Sequence, residues 1–232
     1  MRISTWLVVA GLLATAACSK DDKRGEAKRD DDPVASGALG DEIMVDPELA
    51  GQKGGAGAAA IELPPEQRTP EAIAAAKAEA LKLAGGTIES APAPETGDAD
   101  HLVDSAVTAA QVAAAAKAGK ADCAGKVEYS ARWANALPEA LGVYPQGAVS
   151  EAAGTDRDGC KLRVVGFVTP VAVSDVVDFY YTRLRAAGYQ ARHMIEKDVH
   201  VLGGSKGVAS YLVYARQRED GLSEVDLVAS GG

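Results

Sequence analysis

The apolar and polar positions of this chain form one clear helical pattern, flanked by strands on both sides and preceded by a long stretch with little pattern. From Cys160 to Tyr189 the sequence reads CKLRVVGFVTPVAVSDVVDFYYTRLRAAGY. Val173, Val176, Val177, Tyr180, Leu184 and Ala187 recur at steps of three and four, which sets them on one helix face. Ser174 stands where an N-cap belongs, and Asp175 places negative charge at the positive end of the helix dipole. Arg183 and Arg185 place positive charge near the other end, and Gly188 is free to take the left-handed conformation that stops a helix. Just upstream, Leu162, Val164, Gly166 and Val168 alternate with Arg163, Val165 and Phe167. Both sets are largely apolar, so this strand is expected inside a sheet, covered on at least part of both faces.

Shorter patterns surround this unit. Lys126–Ala136 reads as a helix with Val127, Ala131 and Ala134 on one side, closed by Pro138. Ala148–Ala152 reads as a strand, joined through the turn residues Thr155–Gly159 to the strand that begins at Cys160. Further strands are expected at Tyr189–Ile195, Val199–Leu202, Ser210–Arg216 and Val225–Ala229. Their hairpin turns would be Glu196–Asp198, Gly203–Gly207 and Glu219–Gly221. Helix, two strands, helix and meander predict an α+β domain over residues 122–232: a single antiparallel sheet with two helices on one face.

Residues 18–121 read as a largely disordered, alanine-rich spacer. Ser19–Asp32 is almost all charge of both signs, and Gly51–Ala60 is mostly glycine and alanine. Two alanine-rich helices are expected within it. One is capped by Thr69 with Pro70 at its first position and ends at Gly85-Gly86. The other starts at Thr108, with Gln111 at capping-box spacing, and ends at Gly119. Ile73, Leu81 and Leu83 give the first only a thin apolar face. Ile43, Met44, Val45 and Leu49 form an apolar island in this polar sea. It reads either as a stray patch or as a short peptide that docks into a groove of a partner or of its own domain.

Composition adds two limits. The 47% apolar fraction of the 232 residues is largely alanine, and of the 2 Phe, 7 Tyr and 2 Trp only Trp6 precedes Tyr129. Core material is therefore concentrated in the C-terminal half. A net charge of -9 with no basic block leaves no electrostatic footprint for nucleic acid or anionic lipid headgroups.

Met1-Arg2, the apolar run Trp6–Ala14 and then Thr15-Ala16-Ala17-Cys18 make a short charged region, a segment too short to span a bilayer, and small residues before a cysteine. This arrangement resembles the lipobox of bacterial lipoproteins, with Thr15 where that family usually carries Leu. The resemblance implies a signal peptide over residues 1–17 and acylation of Cys18 as the membrane anchor. Ser19 after the cysteine implies sorting to the outer membrane, facing the periplasm. The alternative is an ordinary secretory signal cut beside Ala17. Cys123 and Cys160 remain, and in an oxidising compartment an even remainder points to one disulfide. Metal binding by two cysteines without a nearby histidine is the poorer alternative. Val143-Tyr-Pro-Gln-Gly-Ala148, Phe167-Val-Thr169, Val177-Asp-Phe-Tyr-Tyr181 and Ala187-Gly-Tyr189 resemble a domain of uncharacterised envelope lipoproteins with a Tyr-Pro-Gly-Ala motif. Here Gln146 is inserted before the glycine. That resemblance implies a fold and an address, without an activity.

Catalytic and ligand motifs are sparse. The Gly-x-Ser-x-Gly spacing occurs at Gly203–Gly207, but there it sits between strands rather than opening a helix, so it reads as hairpin glycines and not as a nucleophile elbow. Gly203–Gly207 lacks the order of a phosphate loop, and Asp156 and Asp158 lack the remaining ligands of a calcium loop. His101 falls in the spacer. A three-residue loop at Glu196–Asp198 would set His193 and His200 on opposite faces, unable to share an ion. The aromatic residues, Trp133 among them, read chiefly as core, with a groove lining as the other use. No catalytic, cofactor or metal residue is assigned. The sequence supports a lipid-anchored binding or structural module for an envelope protein or peptidoglycan partner. An envelope hydrolase or transferase with an unrecognised site is the alternative.

Overall fold

The computed structural model describes residues 61–96, 109–115 and 122–231. Cys18, His101 and the Ile43–Leu49 segment lie outside the described residues. In chain order the elements are helix α1 (Pro70–Leu83), strand β1 (Glu95–Thr96), helix α2 (Ala109–Ala115), strands β2 (Glu128–Tyr129), β3 (Ala148–Thr155) and β4 (Leu162–Thr169), helix α3 (Val173–Ala186), and strands β5 (Arg192–Glu196), β6 (Val199–Lys206), β7 (Ala209–Gln217) and β8 (Ser223–Ser230). All eight strands belong to one sheet in the order β1-β5-β6-β7-β8-β4-β3-β2. The sheet is antiparallel except for β1, which pairs parallel to β5 at one edge. The α+β class therefore stands, with a mixed rather than a purely antiparallel sheet.

Helices cover both faces, not one. Along β8, Leu227 joins the cluster under α1 and α3, whereas its neighbour Val228 joins the cluster under α2. Successive strand residues point to opposite faces, so these clusters lie on opposite sides of the sheet. The expected helix at Lys126–Ala136 is instead the two-residue strand β2 followed by a 3-10 turn, Ala131–Ala136, on which Ser130 Oγ accepts the Arg132 N–H. The period-three spacing of Ala131 and Ala134 suits a 3-10 turn as well as an α-helix.

Helix α3 starts one residue earlier than its sequence cap, at Val173, with Ala172 before it and no side-chain cap. Its C-terminus ends as expected. Gly188 takes φ +82°, and the Tyr189 N–H donates to the Leu184 carbonyl at 2.9 Å. Its buried face carries Val176, Val177, Phe179, Tyr180 and Leu184. Tyr180 is fully buried, and its hydroxyl donates to the Gly142 carbonyl at 2.9 Å. Tyr144 of the Tyr-Pro segment meets Phe179 edge to face at 4.9 Å. Gln146 takes φ +59° in the turn that follows, and a Cβ on Gly147 would lie 2.8 Å from the Phe167 ring.

The boundary expected at Asp122 is not the edge of the packed unit. Ala76 and Ala80 of α1 are buried in the cluster under α3, and Leu63 is buried against Val168 and Leu222. Thr69 caps α1 as expected, its Oγ1 accepting the Ala72 N–H at 3.2 Å. The buried stripe is alanine, while Leu81 and Leu83 face outward. From α1 the chain runs along α3: Thr182 Oγ1 accepts the Glu89 N–H at 2.9 Å and Asp178 accepts the Ala91 N–H at 2.8 Å. It then joins the sheet as β1. Helix α2 likewise buries Val112 and Ala113 beside the cysteines. Cys123 and Cys160 are bonded to each other, with Cα atoms 5.7 Å apart.

Two measurements follow from this packing. Ala80→Leu should cost about 1–3 kcal/mol, the usual penalty for overfilling a close-packed site, whereas Leu81→Ala should cost little; urea unfolding of both variants reads the difference. Opening the 37-residue separation closed by the disulfide, in a Cys123→Ala/Cys160→Ala double variant, should cost about 4 kcal/mol in the chain-entropy model. Equal stability of the double variant and the parent would mean that the bond adds no constraint.

Candidate functional site

The described groove with the richest chemistry lies at the β2–β3 edge of the sheet. It is lined by Glu128, Arg132, Trp133, Ala136, Thr155, Asp156 and Arg157, with a cavity volume of about 350 Å³. Trp133 forms its back wall. The 3-10 turn after Ser130 lays the indole across β3, where Gly154 has no side chain to obstruct it. A Cβ there would sit 2.7 Å from the indole ring and 2.7 Å from the Leu162 carbonyl. Ala152 and Val165 pack beside the ring, which is only 5% exposed.

Guanidinium groups stack on the indole. Arg132 lies 4.4 Å and Arg163 4.5 Å from the ring centroid, within the range of cation–π attraction. Arg163 is held rigidly. Its Nη1 donates to the carbonyls of Thr155 at 3.1 Å and Leu162 at 2.9 Å, and its Nη2 to Asp156 Oδ1 at 2.7 Å. At the rim, Glu128 pairs with Arg132 at 3.5 Å and also with Arg157.

Two buried N–H groups in this stack, Trp133 Nε1 and Arg163 Nε, have no hydrogen-bond partner among the described residues. Buried donors are nearly always paired, and an unpaired one costs roughly 1–3 kcal/mol. Both atoms are sealed from solvent, and Arg163 stands behind the groove rather than among its lining residues.

Two other polar groupings stand out. His193 and His200 are together, contrary to the expectation from sequence. The turn between β5 and β6 has two residues, Lys197 and Asp198, with Lys197 at φ +51°. The register is therefore Ile195 opposite His200 rather than Ile195 opposite Val199. That one-residue slip brings His200 to the face of His193. His193 Nε2 and His200 Nδ1 are 3.0 Å apart, and His193 Nδ1 lies 2.7 Å from the Pro92 carbonyl oxygen. Since a carbonyl only accepts, His193 Nδ1 carries the proton there, leaving Nε2 to face His200 Nδ1. Burial, reinforced by His193, lowers the pKa of His200. The pair fastens the strap before β1 to the sheet edge.

The other grouping is Asp226, on the opposite face, across from Tyr214 and Gly166. A Cβ on Gly166 would lie 3.0 Å from the Asp226 carboxylate, so the glycine makes its seat. Burial pushes this carboxyl up to about 7, with Glu224 raising it further, Arg216 lowering it and Glu151 raising it.

Of the residues singled out from sequence, Cys123 and Cys160 are joined beneath α2 in a structural position, and the Cys160 N–H donates to the carbonyl of the groove residue Arg157 at 2.8 Å. Trp133 was legible only as one of the aromatics suited to core or groove lining. The arginines around it carried no signal, because Arg132, Arg157 and Arg163 converge only through the β2–β3–β4 pairing. The chain matches no known protein family, no curated protein and no solved structure. No helix among the described residues is long and apolar enough to cross a membrane.

Asp226 yields a signed pH test. Its folded pKa stands above its unfolded one, so the folded state holds the proton more tightly. The stability this provides is fully present below about pH 4 and is lost as the pH rises to 7. Asp226→Asn should therefore stabilise the protein at pH 8 and change little at pH 4. Melting temperatures of parent and variant at the two pH values check this; an equal effect at both would place the carboxyl at an ordinary pKa.

Proposed function

We propose that the chain is a non-enzymatic binding module of the bacterial envelope, anchored through an acylated Cys18, with its partner held in the groove at Trp133. The observation that carries this reading is the groove itself, with the Trp133 indole and the Arg132 and Arg157 guanidinium groups among its lining. Tryptophan and arginine are the side chains that most often dominate binding surfaces. The lipobox-like Thr15–Cys18 segment and the Ser19 that follows it support an outer-membrane tether facing the periplasm. The charged run Ser19–Asp32 gives the tether length. The Ile43, Met44, Val45 and Leu49 peptide is a second contact point for an envelope protein or for peptidoglycan. The Tyr-Pro-Gly-Ala resemblance fits the same address.

The hydrolase or transferase reading draws on one feature, the His193–His200 pair, in which the Pro92 carbonyl holds a proton on His193 Nδ1. Its carbonyl anchor and its place under the strap before β1 favour a structural use.

A photo-crosslinking residue at Ala136, which lines the groove, should give a discrete adduct in intact cells. The same residue at the exposed Val208, in the β6–β7 turn, should not. Equal labelling from the two positions would contradict a site at Trp133. A fatty-acid probe should mark the parent and not Cys18→Ser.

A further inference from the structure

We infer that the His193–His200 pair is a pH latch: it holds the strap of residues 91–96 on the edge of the sheet while a single proton lies between the two rings, and lets the strap go when both rings are charged. The latch sits at the β1–β5 edge, opposite the β2–β3 edge that carries the Trp133 groove, and does not rest on the reading of that groove.

The strap is weakly held by its own sequence. Pro92 and Pro94 have no N–H to give to a ladder. Strand β1 pairs with β5 through two residues only, Glu95 opposite Met194 and Thr96 opposite Ile195. Residues 92–96 are all exposed. At one end Asp178 of α3 accepts the Ala91 N–H, and at the other Arg192 pairs with Glu95 at the rim. Between these points the Pro92 carbonyl accepts from His193 Nδ1 at 2.7 Å. The His193 ring is buried, and its other nitrogen meets His200 Nδ1 at 3.0 Å. His200 is half-buried, so protons from solvent reach the pair through it.

Proton counting sets the threshold. A hydrogen bond between two ring nitrogens needs one proton, whichever ring owns it. Two charged rings put a proton on each nitrogen, so two donors face each other with no acceptor. They also set like charges on rings whose centroids are 5.2 Å apart. The contact then opens, and because the same His193 ring carries the Pro92 bond, the strap loosens with it. No neighbour is placed to compensate. On the strands the pair is flanked by Ile195, Leu202 and Ala215, none of them titratable. From α3, the Asp178 carboxylate is committed to Ala91, and from the strap Glu95 is committed to Arg192. Glu89, at the start of this run, lies where Thr182 holds its backbone. Glu196 lies opposite Val199 on the other face, and Lys197 and Asp198 are in the exposed turn. Burial first, and then the charge of His193, lowers His200, and no carboxylate contributes. A histidine lowered in the held state takes up its proton more readily in the released one. The latch is therefore closed above about pH 6.5, the ordinary histidine value, and is lost as the pH falls from there through the lowered one.

The test is a pH series of proton–nitrogen NMR spectra of the full chain in detergent, from about pH 7.5 to about pH 5, with the histidine ring signals followed in the same samples. The amide signals of Ala91, Ala93, Glu95 and Thr96 should move to random-coil positions as the pH falls, in step with the rings of His193 and His200. Those of Leu227 and Val228, in the central ladder, should stay where they are. Two variants separate the latch from other acid effects. His200→Gln still offers His193 Nε2 a donor or an acceptor but takes no charge, so its strap signals should remain in their folded positions at the lowest pH. Asp226→Asn removes a group that titrates in the same range on the opposite face, and it should leave the pH of release unchanged. Strap signals that do not move in the parent, release in His200→Gln at the parent's pH, or a release pH that shifts in Asp226→Asn would each overturn the latch. So would loss of the ladder signals in the same step, which would mean that the whole domain unfolds rather than the strap alone.

Discussion

The pairing of β4 with β8 is the constraint on which the rest of this structure depends. Eight successive residues, from Leu162 opposite Ser230 to Thr169 opposite Ser223, pair without interruption. Both strands are central, and seven of the eight β4 residues are buried. A ladder buried on both faces demands a cover on each. On one side α3 supplies it, with α1 packed alongside. On the other, α2 and the Cys123–Cys160 bond do so. The groove lies where this cover ends. Beyond the edge of the helical layer the chain has only β3 and the 3-10 turn, and Trp133 closes the gap by resting on Gly154. Its polar groups are therefore held by the same ladder that holds the core, since Arg163 is a β4 residue facing Gly154.

Much of this frame was legible in the sequence. The three-and-four spacing from Val173 to Ala187 became α3, and Gly188 stops it in the left-handed conformation. The doubly apolar run from Leu162 to Thr169 became a central strand. Arithmetic on three cysteines found the bonded pair. These signals share a cause: each is local, and each is strengthened by the tertiary structure rather than opposed by it.

What stayed hidden was hidden for physical reasons. Helix α1 docks through Ala76 and Ala80, whose methyl groups allow close approach yet barely register in an apolar pattern. Leu81 and Leu83, which do register, point outward. The His193–His200 contact turned on whether the hairpin loop held two residues or three, a choice made by Lys197 accepting a positive φ that is uncommon for lysine. The parallel β1 directly follows Ala91-Pro-Ala-Pro94, a proline-rich segment with no strand pattern. Its backbone is held by Asp178 and His193 from across the fold. The groove is the extreme case. A tryptophan and three arginines are ordinary surface composition until β2, β3 and β4 pair, and an unspent N–H is a property of the folded state alone.

On the proposed reading, the β2–β3 edge with Trp133 is the face this protein turns toward its partner. Hydrogen–deuterium exchange of the full chain, with and without isolated envelope membranes and cell wall, tests it most directly. The account predicts added protection concentrated in residues 128–137 and 153–157, with the β4–β8 ladder unchanged because it is already slow. Protection absent from that edge, or appearing instead along the β1–β5 edge near His193, would contradict it.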